Sequence, residues 1–235
     1  MTLPGGNMSP VYRSGSTVHR TSGPWTPSVH RLLDHVRAAG VRGIPKPLGI
    51  DESGREVLEF IEGDVANYPM PDEVWNETVL IDAARLLREI HDASASFELA
   101  GTEWRQPARE PVETVLHNDF APYNLVFREG SLVGVIDWDW ASPGPRVWDL
   151  AYLAYRLVPL CSEDSPELDV SRRVDLVLES YGWPISRDEL FATVVERLEA
   201  LAIFSEKHAI LLGNPELTAH AALYRRDAAA LASRS

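Results

Sequence analysis

The sequence predicts an α+β protein of two unequal lobes, a small β-rich first lobe with one helix and a larger, mostly helical second lobe. Three observations lead there. Short apolar runs punctuated by glycine turns occupy positions 1–62. Beyond position 73 the apolar spacing becomes that of helices packed on one face. Among those helices, the stretch His117-Asn118-Asp119-Phe120-Ala121-Pro122-Tyr123-Asn124 and the hairpin after it gather two acids and an asparagine on irregular backbone.

In the first lobe, Val11-Tyr12-Arg13 and Ser16-Thr17-Val18-His19-Arg20 read as two strands joined at Ser14-Gly15, preceded by the glycine loop Leu3-Pro4-Gly5-Gly6-Asn7. Thr26-Pro27-Ser28 opens a helix over 26–39. Proline suits its first turn, Val29, Leu32, Leu33 and Val36 share one face, and Gly40 stops it. Strands over 46–50 and 56–61 flank the turn Asp51-Glu52-Ser53-Gly54. Glu62-Gly63-Asp64 ends the second of these, which places the lobe boundary between 1–62 and 63–235.

In the second lobe, Val79, Leu80, Ala83, Leu86, Leu87 and Ile90 recur at helical spacing and predict a helix over 73–91. After the loop at 117–124, Leu125-Val126-Phe127-Arg128, the turn Glu129-Gly130 and the run 132–136 form a hairpin that returns Asp137 beside Asn124. Pro145 starts a helix reaching residue 157, and further helices follow over 171–181, 187–212 and 215–232.

The loop and hairpin carry the chemistry of phosphoryl transfer. That reaction needs a carboxylate to receive the acceptor hydroxyl's proton, with an amide oxygen and a second carboxylate to hold magnesium against nucleotide phosphates. Asp119 is the candidate base, and Asn124 and Asp137 are the candidate metal ligands, oxygen donors of the hard kind magnesium prefers. Asp139 lies two residues beyond Asp137, so on extended backbone both carboxylates face one side. It is a further candidate, for a water-mediated metal contact or for a cationic acceptor. His117 holds the loop and the Asp137 segment in place, and Asp149 bonds loop amides and fixes the geometry of Asp119.

These residues resemble the aminoglycoside phosphotransferase and choline kinase group, small-molecule relatives of protein kinases. His117-Asn118-Asp119 through Asn124 corresponds to the group's His-x-Asp-x-x-x-x-Asn, Ile136-Asp137-Trp138-Asp139 to its second acidic element, and Gly144-Pro145-Arg146-Val147-Trp148-Asp149-Leu150-Ala151 to its Gly-Asp-Pro-x-x-Asp-Leu-Ala. The resemblance covers most of the chain and implies a two-lobed protein-kinase-like fold. It implies ATP or GTP as donor, Mg2+ as cofactor, and a hydroxyl of an aminoglycoside, macrolide, amino alcohol or other metabolite as acceptor. It further implies a hinge at Glu59, Phe60 and Ile61 that meets the adenine, and Val18, Val126 and Ile136 as its apolar sandwich. Gly6, with Gly5 and Asn7, covers the phosphates. Arg20 stands where a phosphate-binding lysine is usual, and the following helix offers Val29 and His30 where a glutamate is usual. That departure keeps a second reading open, a nucleotide-binding pseudokinase or scaffold with little transferase activity.

Composition narrows the classes further. With 35 acidic against 22 basic residues and a net charge of −13, the chain is expected to repel nucleic acid and anionic membrane surfaces. One cysteine, Cys161, excludes an internal disulfide and fits a reducing cytoplasm. Met1 to Pro10 lacks a basic start and an apolar signal core. No Gly-x-Ser-x-Gly is present, which argues against a hydrolase built on Asp119 and His117. The expected assembly is a monomer or a homodimer.

Overall fold

The computed structural model describes residues 11–161 and 168–233. The first sheet is antiparallel, in the order β1 (Tyr12–Ser14), β2 (Thr17–Thr21), β4 (Arg55–Glu59), β3 (Pro47–Ile50). Across β2 and β4, Val18 faces Leu58 and Arg20 faces Glu56. Because side chains alternate along a strand, a charged pair and an apolar pair share the face that packs inward. Over this face lies α1 (Thr26–Ala38), whose Val29, Leu32, Leu33 and Val36 are fully buried, as their spacing predicts.

Two boundaries differ from expectation. The strand expected over 56–61 ends at Glu59, and Phe60 and Ile61 leave the sheet. The helix expected over 73–91 is a 3-10 turn at Asp72–Trp75 followed by α2 (Glu77–Ser94). Asn76 breaks the run because its backbone is extended there, with φ −61° and ψ 137°, the geometry of a residue outside a helix.

After Glu62 the chain enters β5 (Asp64–Val65), which adds to the hairpin of β7 (Leu125–Arg128) and β8 (Ser131–Val135) as a three-stranded sheet. Gly63 has φ +149°, and a Cβ there would collide with the Phe127 carbonyl, so the crossing requires glycine. Gly43 accepts a bond of 2.9 Å from the Val135 amide, which ties the loop after α1 to the same hairpin. A small pair, β6 (Thr114–Leu116) and β9 (Ser142–Gly144), brackets the catalytic segment and was not foreseen from sequence. The helices α3 (Arg146–Leu157), α4 (Val170–Tyr181), α5 (Arg187–Leu212) and α6 (Pro215–Ala232) match their expected ranges to within a residue. Trp138, Leu150, Leu153, Val177, Val194 and Leu198 are buried in the core beneath the catalytic segment. Among the described residues, no helix is long and apolar enough to cross a membrane.

Candidate active site

Hydrogen bonds to backbone hold the catalytic segment in an otherwise unfavourable shape. Asn118 has φ +64°, a left-handed conformation costly for a side-chain-bearing residue. Its amide and that of His117 donate to the two oxygens of Asp149 at 2.8 and 2.6 Å. The Asn118 side chain donates to the Trp140 carbonyl and the Ser142 hydroxyl, and Arg197 donates to the Asn118 carbonyl. Asp149 is fully buried at the start of α3 and takes a third bond from His91 at 3.2 Å, whose other ring nitrogen meets the Tyr181 hydroxyl at 2.7 Å. Burial pushes the Asp149 pKa up, but the hydrogen bond from His91 and the nearby cationic charge of Arg197 outweigh it and hold the carboxyl below its ordinary value. Burial also pushes His91 down, so the pair is a neutral imidazole donating to a carboxylate. Asp149 therefore sits where the sequence places it, while His91 was missed; a histidine in the apolar face of α2 is the signal for it.

His117 occupies the crossing point between the loop and the hairpin. Its Nε2 donates to the Ile136 carbonyl at 3.0 Å and its Nδ1 accepts from the Asp119 amide at 3.2 Å. The ring meets Phe120 edge-on and Trp138 at a tilt. Two backbone segments are thus fixed by one side chain.

Asp119, Asn124 and Asp137 come together. Asn124 donates through Nδ2 to the Asp119 carbonyl and to its Oδ2, both at 2.8 Å, which turns the amide oxygen away from Asp119. The Ile136 amide donates to the Asn124 carbonyl at 2.9 Å and brings Asp137 alongside. Tyr123 donates its hydroxyl to Asp119 Oδ1 at 2.7 Å and meets the Tyr152 hydroxyl at 2.9 Å. Burial raises the Asp119 pKa; the Tyr123 bond and His117 pull it back, and the Asp137 charge lifts it again. A carboxylate so placed is a better proton acceptor than one in water.

Asp137 is not on extended backbone. With φ +64° it turns left-handed, and its carboxylate is 45% exposed. Asp137 and Asp139 converge through Arg20, whose Nη1 and Nη2 reach them at 2.8 and 2.6 Å. Arg105 also approaches Asp139, at 3.7 Å, so two guanidinium groups face this acid. Burial raises the pKa of Asp139, with Arg20 opposing.

The ion pair expected to be absent is present by another route. Arg20 donates through Nε to Glu56, its partner across β2 and β4, and His30 on α1 donates to the other oxygen of Glu56 at 2.9 Å. The helix supplies no acid, as the sequence indicates, yet it still contacts the pair through His30. Burial works against the Arg20 charge, but Glu56, Asp139 and Asp137 outweigh it and raise its pKa. Glu56, 1% exposed, is pushed up by burial and brought below its ordinary value by His30 and Arg20. In the sequence the signal for Glu56 is an acid in phase with the buried Leu58.

The remaining expected residues are partly described and partly outside the described residues. Val18 and Ile136 are half-buried and Val126 is buried. At the expected hinge, the amides of Glu59 and Phe60 already donate to the carbonyls of Lys46 and Ser16, at 2.8 Å each. Gly6, with Gly5 and Asn7, lies outside the described residues. A separate cleft of about 330 Å³, lined by Arg109, Trp148, Trp183 and Glu196, contains none of the candidate residues.

The donor set fits magnesium. Asn124 offers an amide oxygen and Asp137 a partly exposed carboxylate, the hard donors that bind this ion together with substrate phosphates. Among the described residues no three His, Cys, Asp or Glu side chains group to hold a metal on their own.

Comparison with known proteins adds the following. A family model described as a phosphotransferase enzyme family matches residues 95–184. The chain is 36% identical over 194 residues to the trifolitoxin immunity protein of Rhizobium leguminosarum bv. trifolii, across 77% of this chain and 73% of that protein. A choline/ethanolamine kinase family protein from Mesorhizobium loti superposes with a TM-score of 0.68 at 16% identity, across 98% of this chain and 87% of that one. An amicoumacin kinase superposes with a TM-score of 0.68 at 12% identity, across 97% and 87%. The structural likenesses establish a kinase-like α+β fold.

Proposed function

From the premise that this chain belongs to the phosphotransferase enzyme family, we propose that it transfers the γ-phosphoryl group of ATP or GTP, with magnesium, to a hydroxyl of a small molecule. The observation that carries this reading is the convergence of Asp119, Asn124 and Asp137, tied together by the Asn124 side chain and the Ile136 amide. We divide the lobes at residues 62 and 63, with the nucleotide in the cleft between them.

In this reading Asp119 accepts the hydroxyl proton as the new oxygen–phosphorus bond forms and the bond to the β-phosphate oxygen breaks. Its raised pKa suits proton uptake late in the transfer. Asn124 and Asp137 hold the magnesium ion, which when bound neutralises phosphate charge. Arg20 moves from Asp137 and Asp139 to the phosphates, where its fork of donors replaces the usual lysine. Glu56 and His30 keep it aimed into the cleft. Asp149, His91 and His117 hold the loop in place, so that catalysis draws on positioning and charge. The relative named as a toxin immunity protein supports an acceptor that is toxic and is inactivated by phosphorylation.

Purified protein with magnesium-ATP and a panel of hydroxyl compounds, followed by mass spectrometry, tests the proposal. A product heavier by one phosphoryl group supports it. The competing reading, a pseudokinase, is favoured by the three acids that hold Arg20. Magnesium-ATP binding with no product from any acceptor would select it.

A further inference from the structure

On the Tyr123 side of Asp119 lies a cluster with no counterpart in the transfer machinery described above. Arg156, one turn after Tyr152 on α3, has its guanidinium carbon 5.1 Å from the Tyr68 ring centre, 5.4 Å from that of Tyr123, 5.9 Å from that of Tyr152 and 5.8 Å from that of Tyr155. It also donates to the Tyr68 hydroxyl. Its Nε is buried without a hydrogen-bond partner, and among the described residues no carboxylate pairs with it. Arg197 lies 4.8 Å from the Tyr152 ring centre, donates to the Asn118 carbonyl, and likewise has a buried, unpartnered Nε. Asp227, the neighbouring acid, is taken by the Tyr155 hydroxyl and Arg226.

An arginine cannot shed its charge, and burial penalises that charge unless something answers it. For Arg156 burial is the largest influence and opposes the charge, yet Tyr152, Tyr123, Tyr68 and Tyr224 outweigh it. Aromatic faces and a hydroxyl supply part of the answer; a full counter-charge is missing. The same rings would otherwise suit an ammonium, but the guanidinium already fills them, and a second cation would be repelled. The path from the base is continuous: Asp119 to Tyr123, Tyr123 to Tyr152, and then one helical turn, ~5.4 Å, to Arg156.

Resting on the phosphotransferase reading, we infer that the acceptor carries an anionic group, a carboxylate or a phosphate, that docks on Arg156. Its hydroxyl then reaches Asp119 across the faces of Tyr123 and Tyr152. The site selects hydroxy acids over amino alcohols, and the charge and the reacting hydroxyl lie about one helical turn or more apart on an apolar body.

A matched pair of probes tests this: 4-(hydroxymethyl)benzoate and 4-(aminomethyl)benzyl alcohol, which share a ring and a benzylic hydroxyl and differ in the sign of the distal charge. Dissociation constants by calorimetry on the full chain should favour the benzoate by about tenfold or more, the range of a charge-assisted bond. Arg156→Gln should abolish the preference and Arg156→Lys should retain part of it. Equal binding, binding of neither probe, tighter binding of the amine, or a preference that survives Arg156→Gln in a folded protein would overturn the inference. Magnesium-ATP titration in parallel separates the two levels: its failure would sink the phosphotransferase reading while leaving the charge preference measurable.

Discussion

Arg20 and Glu56 face each other across adjacent antiparallel strands, and α1 reaches that pair through His30. A carboxylate moved from helix to strand keeps the cation anchored while the helix contributes a neutral donor. Removing Glu56 leaves a largely buried Arg20 with its other two acids on one side only. Glu56→Ala should therefore lower stability by about 2–4 kcal/mol, and Glu56→Gln by less, since one hydrogen bond survives. Urea denaturation measures both. Equal stability of wild type and Glu56→Ala would contradict the pairing.

Replacing Asp119 by Asn keeps the shape but removes the proton acceptor and one of the two oxygens that accept from Tyr123 and Asn124. Turnover should fall by about 10²–10⁴, with nucleotide affinity retained. Full turnover in the variant would refute the base assignment.

The pH profile offers a sharper test of the same residue. Burial raises the Asp119 pKa above its ordinary 3.8, so kcat/KM should fall on the acid side through a midpoint above that value. The Tyr123 hydroxyl bond lowers this pKa. Tyr123→Phe removes the bond, leaves the ring, and should move the acid limb to higher pH. A limb that stays in place or moves down would show that Tyr123 does not tune the base.

Much of this site can be read from residues 117–137 because its geometry is local: a loop, a hairpin and a helix start placed in sequence order. Asp149 was legible for the same reason, as an acid at a helix N-terminus beside unpaired amides. Glu56 was not, because the register of β2 against β4 is a non-local choice that either strand alone leaves open. The extended backbone expected around Asp137 failed because alternation ignores a residue forced left-handed at the end of a hairpin. The break at Asn76 was hidden by apolar periodicity that runs through it, where an N-cap competes with helix continuation.

Acid stability should report on His91. Its folded-state pKa lies below the ordinary 6.5, so below that pH the unfolded chain takes up a proton that the folded chain refuses, and stability declines. The Asp149 value lies below the ordinary 3.8, so its contribution is complete above 3.8 and is lost only as pH falls through the lowered folded-state value. Decline between pH 7 and 5 therefore includes His91 and excludes Asp149. His91→Gln should flatten Tm against pH in that window and cost about 1–3 kcal/mol at pH 7. An unchanged slope would remove His91 from the account.

Metal and nucleotide should bind cooperatively. Magnesium arriving alone at Asp137 must compete with Arg20, which holds one carboxylate oxygen at 2.8 Å. Nucleotide phosphates give Arg20 another anion to bind and at the same time complete the ion's oxygen shell. Each ligand then lowers the barrier to the other, and linkage makes the effect reciprocal, on the order of 1–3 kcal/mol or 5- to 150-fold in affinity. Calorimetric titrations of magnesium with and without nucleotide, and of nucleotide with and without magnesium, should return the same factor, after correction for magnesium–nucleotide association in solution. In Asp137→Ala the factor should shrink towards one. Magnesium binding equally well in the absence of nucleotide would mean that Arg20 does not guard the carboxylate.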